Sequence, residues 1–465
     1  MEEITVDMVV IGSGPAGQKA AIQASKLGKQ VVVIEKAADP GGSCLFAGTI
    51  PSKTFREAII DLTRFHERRF FGGRLPKDEI GMTDLQNRLE RVIDDEKSML
   101  YRQFRRNRIR LIQGTARFEN PHMVVVIDEE YRMLYQIRAE HFVIATGSKP
   151  RKPIEIPFDN EVILDSTSLL RIESIPKSLL VLGGGVIGAE YASFFSALGT
   201  QVTIIDKKDH ILPFLDSEIG IHLQTALTDI GLKFHGGKIP KKISRVEDRA
   251  VVEFEDETVM EADKLLFALG RTANVESLHI ENAGLKTNDW GYLVVNALFQ
   301  TQQPHIYGVG DVIGGPSLAS TSMEQGRLAS RHALGAESHH FPAFYPIGIY
   351  SIPEISSCGY TEDKMKEMGF NYEVGRAYYY EIARSHIAGG STGLIKIVFH
   401  AETLEILGVH AIGRGATEFI HVGQMAISFR AKIDYFIDHI FNYPTYAEGY
   451  RVAALNGFNK IKHKK

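Results

Sequence analysis

A thiol, a hydroxyl and an ammonium group share one short stretch, GGSCLFAGTIPSK, as Cys44, Thr49 and Lys53. The other cysteine of the chain is Cys358, so the two have neither a disulfide framework nor metal-ligand spacing. Three chemistries stay open for Cys44: packing as a small apolar side chain, cycling through sulfenic acid as a peroxidatic thiol, or pairing with a small thiol in a mixed disulfide. An ordinary thiol is only about 3% thiolate at pH 7, so the reactive options need a lowered pKa. Cys358 falls in an apolar strand pattern and reads as core.

Phosphate chemistry is written twice. VVIGSGPAG with LGKQVVVIEK is echoed at a constant offset by LVLGGGVIG with LGTQVTIIDK. Each copy runs from an apolar strand through G-x-G-x-x-G into a helix pattern ending at Leu-Gly, then a second strand closed by an acid. Gly12, Gly14 and Gly17 with Glu35 make the first fingerprint; Gly183, Gly185 and Gly188 with Asp206 make the second. Such glycines permit a tight turn and bring a pyrophosphate close to unpaired helix N–H groups, while the acid accepts from ribose hydroxyls. Two βαβ dinucleotide sites are therefore expected.

The elements that position these groups imply an α/β protein with two Rossmann-like domains followed by a C-terminal α+β domain, in which GLIKIVFH and EILGVHAIG read as strands. With 465 residues, 44% of them hydrophobic, the chain can bury several cores. A net charge of −4 gives no general attraction to nucleic acid or anionic membrane. The basic stretches RFHERRFFGGRLPK and YRQFRRNRIR read as solvated helix faces, and KIKHKK as a solvated tail. MEEITVDMVV is acidic and leads into a strand, and no apolar run is long enough to span a bilayer, so neither a signal peptide nor a membrane span is expected. Two cysteines suit a reducing, cytoplasmic setting.

Together with GTIPSK, FVIATGSKP, IYGVGDVIGG, LASTSMEQG, IPEISSCGYTE and YPTYAE, the fingerprints make the chain resemble the flavoprotein disulfide reductase family along nearly its whole length. The resemblance implies an FAD domain at 1–150 with a return segment at 271–345, an inserted NAD(P) domain at 151–270 and a dimerisation domain at 346–465. A homodimer or larger homo-oligomer is implied too. By matched position, Gly12, Gly14, Gly17 and Glu35, with Ala145, Thr146 and Gly147, would hold FAD, and Gly310 and Asp311 would take its ribityl chain. Lys53 and Glu190 would form a catalytic ion pair beside the flavin ring. A cation there favours the electron-rich reduced ring over the oxidised one.

Two departures from the family pattern matter. The family carries C-x-x-x-x-C where this chain has Cys44 and Thr49, and a histidine base before Pro-Thr where this chain has Tyr443. A threonine cannot complete a disulfide, and a phenol titrating near 10 is a poor base at neutral pH. Without the dithiol, a flavoenzyme can still take hydride from one nicotinamide and return it to another. The resemblance, with these two departures, implies reversible hydride transfer between NADPH and NAD+ by a ping-pong scheme. No metal is expected. Asp206 poses a difficulty, because a unit charge about 4 Å from a carboxylate is repelled by about 4 kcal/mol at an effective dielectric near 20. Lys207 and Lys208 are candidates to offset that repulsion of the NADP 2'-phosphate, or are solvated loop charges. The competing readings are a single-cysteine NAD(P)H peroxidase or low-molecular-weight disulfide reductase using Cys44, and a non-catalytic flavoprotein subunit.

Overall fold

A computed structural model describes residues 2–63, 81–337, 339–390 and 392–464. The basic stretch at 64–77 lies outside them. Two compact units are present: Met1–Thr54 with Asn87–Arg151 and Gly270–Pro342, and Phe55–Gln86 with Lys152–Leu269 and Ala343–Lys465.

In the first unit the valine-rich strand Val31–Glu35 is buried along its whole length, as a central parallel strand with both faces covered should be. It lies between Arg110–Gln113 and Glu2–Ile11, and Met133–Ile144 follows in parallel. The last strand serves two neighbours: its end pairs in parallel with Ile306–Gly308, and its start pairs antiparallel with Met123–Ile127. Register places Ile11 opposite both Ile34 and Ile144. The turns at Gly12, Glu35 and Ala145 consequently gather at one edge of the sheet. Helix Pro15–Lys26 crosses helix Ala319–Ala333 so closely that a Cβ on Gly326 would stand 2.1 Å from the Ala16 carbonyl oxygen.

The second unit repeats that plan. A parallel sheet orders Lys233–His235, Gln201–Ile205, Ser178–Leu182, Lys264–Phe267 and Ile163–Leu164. Leu182 stands opposite Ile205 and Phe267, which gathers Gly183, Asp206 and Ala268 at one edge. A three-stranded antiparallel sheet, Pro240–Val246, Arg249–Phe254 and Val259–Ala262, follows. The C-terminal segment forms an antiparallel sheet in the order Ile347–Ile349, Ile355–Gly359, Ile406–Ile412, Leu394–His400 and Tyr372–Tyr378, with helices Ala416–Ser428 and Gly449–Lys464.

Lys396 in that sheet is 1% exposed, and its ammonium meets Asp216 at 2.8 Å, Glu218 at 2.9 Å and Glu362 at 2.6 Å. A buried ammonium requires such compensation. The cluster also draws the start of helix Ser217–Asp229 onto the sheet, since Asp216 caps that helix by accepting from Glu218 N–H at 3.2 Å.

Two expectations about basic segments have different outcomes. Arg102, Arg105 and Arg106 are exposed at the end of helix Met82–Arg106, with Phe104 buried between them, as a solvated helix face requires. KIKHKK is not a loose tail: residues 460–464 continue the last helix, and the Lys460 ammonium donates to the Val374 carbonyl at 2.7 Å. No helix among the described residues is long and apolar enough to cross a membrane.

Candidate functional site: two matched dinucleotide turns

The first turn is built on steric necessity. Gly12 has φ +99°, and a Cβ on it would come 2.4 Å from the Ala145 carbonyl oxygen; a Cβ on Gly17 would come 1.9 Å from the Gly12 carbonyl oxygen. Neither position admits a side chain, so strand end, turn and helix pack backbone against backbone. Gly14 differs, because nothing lies within 4 Å of the place its Cβ would occupy. It opens onto free space at the start of helix Pro15–Lys26, which has no side-chain N-cap. First-turn N–H groups are thus free for an anion.

The second turn reproduces this geometry residue for residue. Gly183 has φ +111° and lies under the Ala268 carbonyl oxygen, a Cβ on Gly188 would meet the Gly183 carbonyl oxygen at 1.8 Å, and Gly185 opens onto free space. Helix Val186–Ala197 likewise lacks a side-chain cap. Even the hydrogen bonds correspond: Ala145 N–H donates to Ile11 and Ala268 N–H to Leu182, both at 2.8 Å.

Both acids brace their own turns. The buried Glu35 accepts from Ser13 N–H at 2.9 Å and Ser13 Oγ at 2.6 Å through Oε2, and from Ala37 N–H at 3.0 Å through Oε1. Asp206 accepts from Gly184 N–H at 2.6 Å and from Lys208 N–H at 2.9 Å. A carboxylate has about four lone-pair positions, so each acid retains capacity for a ribose hydroxyl. Lys207 and Lys208 are exposed. Lys207, with Asp206, Leu182, Ile205 and Lys238, lines a cavity of about 260 Å³.

The remaining flavin-side residues meet in the first unit. Asp311 accepts from Ser148 Oγ at 2.6 Å and has the Arg271 guanidinium 3.8 Å away, while Arg271 also donates to Ser148 Oγ and to its carbonyl, both at 2.8 Å. Gly310, with φ +77°, donates its N–H to Gln325 Oε1 at 2.8 Å. Thr146 and Asn274 hold each other: Thr146 Oγ1 donates to the Asn274 carbonyl at 2.7 Å and Asn274 Nδ2 to the Thr146 carbonyl at 2.9 Å. Asn274 N–H also donates to Gly147 O at 2.9 Å.

The GGSCLFAGTIPSK stretch forms two helices, Gly42–Phe46 and Thr49–Thr63. Cys44 lies on the first and Thr49 opens the second. Burial pushes the Cys44 thiol up, against the hydrogen bond from Thr49 and the charge of Lys53, which act in the other direction. Cys358 is 2% exposed in strand Ile355–Gly359, where burial raises its thiol to about 11. The half-buried Lys53 donates to Ser52 Oγ at 3.2 Å in the first unit. Glu190, in the second, is 3% exposed and accepts from Tyr350 N–H at 2.9 Å.

Residues 6–326 match the pyridine nucleotide-disulphide oxidoreductase family, and residues 345–454 match its dimerisation domain. The chain belongs to the pyridine nucleotide-disulphide oxidoreductase family. Like other members it is an α/β oxidoreductase whose two dinucleotide turns precede a dimerisation domain. A soluble pyridine nucleotide transhydrogenase of Mycobacterium tuberculosis (strain H37Ra) is 43% identical over 457 residues, 98% of each chain. One of Escherichia coli (strain SMS-3-5) is 41% identical over 459 residues, again 98% of each. Among solved structures, the HOCl-induced flavoprotein disulfide reductase RclA of Escherichia coli superposes with a TM-score of 0.87 at 28% identity, covering 97% of this chain and 99% of its own. LpdA of Mycobacterium tuberculosis shares the fold, with a TM-score of 0.90 at 24% identity over 97% and 99%.

Members of this family bind FAD and NAD(P), and the residues present fit both: each turn has a glycine facing open space, uncapped N–H groups and an acid with spare acceptor capacity. Several supporting groups carry no local sequence signal. Arg271, Asn274 and Lys238 acquire their positions from strand pairing.

Proposed function

We propose that this protein carries out reversible hydride transfer between NADPH and NAD+, with the two nucleotides using one nicotinamide site in turn. The single observation that carries the reading is the environment of Cys44. Thr49 occupies the place of a second sulfur and hydrogen-bonds the thiol, and burial holds that thiol in its protonated form. The element therefore offers neither a dithiol nor an activated thiolate. That disfavours the peroxidase and disulfide-reductase readings. The second complete fingerprint disfavours a non-catalytic subunit, which has no use for it. The transhydrogenases 41–43% identical along nearly the full length support the same conclusion.

FAD, when bound, supplies a two-electron hydride carrier. The chain's own part is binding and orientation. Gly12, Gly14 and Gly17 bare the helix N–H groups for its pyrophosphate, Glu35 accepts from the adenosine ribose, and Asp311, with Gly310 and the Ala145, Thr146 and Gly147 loop, receives the ribityl side. Lys53 and Glu190 remain the catalytic candidates. Gly183, Gly185, Gly188 and Asp206 do the equivalent for the nicotinamide nucleotide, with Lys207 and Lys208 offsetting the 2'-phosphate. We retain the division at 1–150, 151–270, 271–345 and 346–465 as the functional assignment of the segments. The dimerisation domain makes the enzyme a homo-oligomer. A cytoplasmic location is part of the proposal, supported by the free cysteines and tested by cell fractionation.

Steady-state kinetics test the reading. NADPH and an NAD+ analogue should give parallel double-reciprocal lines, as expected when one product leaves before the second substrate enters. Intersecting lines would mean a ternary complex and defeat the one-site scheme. Absence of any transfer would defeat the activity itself.

A further inference from the structure

The two turns, matched in their glycines and acids, also differ in a way visible only in three dimensions. In the first unit Gly114 N–H donates to the Glu35 carbonyl at 2.8 Å; in the second, Lys238 N–H donates to the Asp206 carbonyl at 3.1 Å. The two residues thus make the same bond to the acid's carbonyl, Gly114 directly after strand Arg110–Gln113 and Lys238 three residues after the end of strand Lys233–His235. At the flavin side the residue is a glycine with φ +147°, where a Cβ would lie 2.5 Å from Val126 Cγ1. No side chain can stand there. At the second turn the residue that makes this bond carries an ammonium group.

That ammonium is held in place. Lys238 Nζ donates to Asp256 Oδ2 and, at 3.0 Å, to Thr258 Oγ1, both near the turn between strands Arg249–Phe254 and Val259–Ala262. Its side chain is 22% exposed and lines the 260 Å³ cavity together with Asp206 and Lys207. The pairing holds Asp256 down to about 2. Lys207 gives no discrimination between the two sites, because Lys36 occupies its place in the first half of the repeat, and Lys208, whose counterpart is Ala37, does not line the cavity. Lys238 does.

We infer that Lys238 is a specificity-determining residue of the nicotinamide nucleotide site, contacting the adenosine 2'-phosphate that distinguishes NADP from NAD. The inference rests on the proposed use of both nucleotides. The adenosine ribose of FAD bears no such phosphate, so the flavin turn needs no cation at that bond. Asp206 repels the phosphate, and a cation anchored through its own backbone to the Asp206 carbonyl is placed to counter that repulsion. Asp256 moderates the effect by sharing the ammonium, so the site takes NADP without losing NAD.

The test is equilibrium titration of the flavin-loaded enzyme with 2',5'-ADP and with ADP, which differ by the phosphate alone. Lys238→Met should weaken 2',5'-ADP about tenfold or more, the effect of one charge-assisted contact, and ADP less than about twofold. Lys238→Arg should restore most of the ratio. Asp256→Asn, which frees the ammonium, should shift the ratio toward 2',5'-ADP. Lys242→Ala removes an exposed lysine of the neighbouring strand and should leave the ratio unchanged. Equal weakening of both probes by Lys238→Met overturns the inference while leaving the nucleotide site intact, as does an equal loss of 2',5'-ADP affinity in Lys242→Ala. Wild-type enzyme that binds ADP but not 2',5'-ADP overturns both the inference and the use of NADP; binding of neither probe overturns the nucleotide site itself.

Discussion

Gly188→Ala should disable one dinucleotide turn while leaving the other intact. The new Cβ would stand 1.8 Å from the Gly183 carbonyl oxygen and 3.0 Å from its carbon, where ordinary contact begins near 3.4 Å. Both obstacles are backbone, so no rotamer relieves them and helix Val186–Ala197 must withdraw from the turn. Overpacking of this kind costs about 1–3 kcal/mol in stability. The functional loss is separable, because withdrawal carries the first-turn N–H groups away from the pyrophosphate. Each charge-assisted hydrogen bond is worth about 1.5–3 kcal/mol, and 1.4 kcal/mol is tenfold, so the dissociation constant for ADP should rise about 10- to 100-fold. The flavin turn has its own glycines, and the flavin-to-protein absorbance ratio should remain that of the wild type. Gly17→Ala places its Cβ 1.9 Å from the Gly12 carbonyl oxygen and should give the converse, loss of flavin. Calorimetric titration with ADP and the absorbance ratio read the two effects independently. Unaltered ADP affinity in Gly188→Ala, or loss of flavin there with retention in Gly17→Ala, would refute the assignment of the two turns.

Cys44→Ser should transfer hydride between nicotinamides within about twofold of the wild-type rate, since a half-buried thiol whose pKa is raised contributes no redox step; a tenfold fall in stopped-flow rates would return the cysteine to the mechanism. Asp311→Ala removes the acceptor held by Ser148 and lying 3.8 Å from Arg271, and flavin retention on desalting should drop about tenfold or more, the worth of one charge-assisted contact. Lys396→Met leaves Asp216, Glu218 and Glu362 without their shared cation, and loss of one partner from a buried ion cluster costs about 3–5 kcal/mol, read as a lower melting temperature at neutral pH. Asp216 is depressed by His410 and Lys396 against its burial, and Glu218 by Arg376 and Lys396 against its own. Their stabilisation is complete above the unfolded value of about 4 and lost as pH falls through the lowered folded values. The deficit of Lys396→Met should accordingly narrow on acidification, followed by melting curves across pH; a deficit independent of pH would show that it does not arise from the charges of Asp216 and Glu218.

Much of the binding architecture was legible along the chain. Glycine spacing is a local steric requirement: a turn that places one strand end beneath a carbonyl leaves no room for Cβ at Gly12, Gly17, Gly183 or Gly188, and the next strand must end in an acid within reach. The absence of a dithiol was equally local, because Cys44 and Thr49 are near neighbours in sequence. Lys460 misled, since its polarity reads as solvent-facing while it in fact donates to the sheet through its long side chain, whereas Lys462 is exposed.

What the sequence by itself determined was the repeat, the acids and the missing sulfur, all set by short-range geometry. Only the tertiary structure decided which distant side chains meet those turns. Arg271 and Ser148 come to Asp311, Asn274 to the Thr146 loop, and Lys396 to three carboxylates, through pairings made far apart in the chain. Gly114 and Lys238 come to make the same bond to an acid's carbonyl only when each strand takes its place beside its neighbour. Sheet register sets such encounters, and a register depends on the whole hydrophobic pattern of both strands rather than on any motif within one.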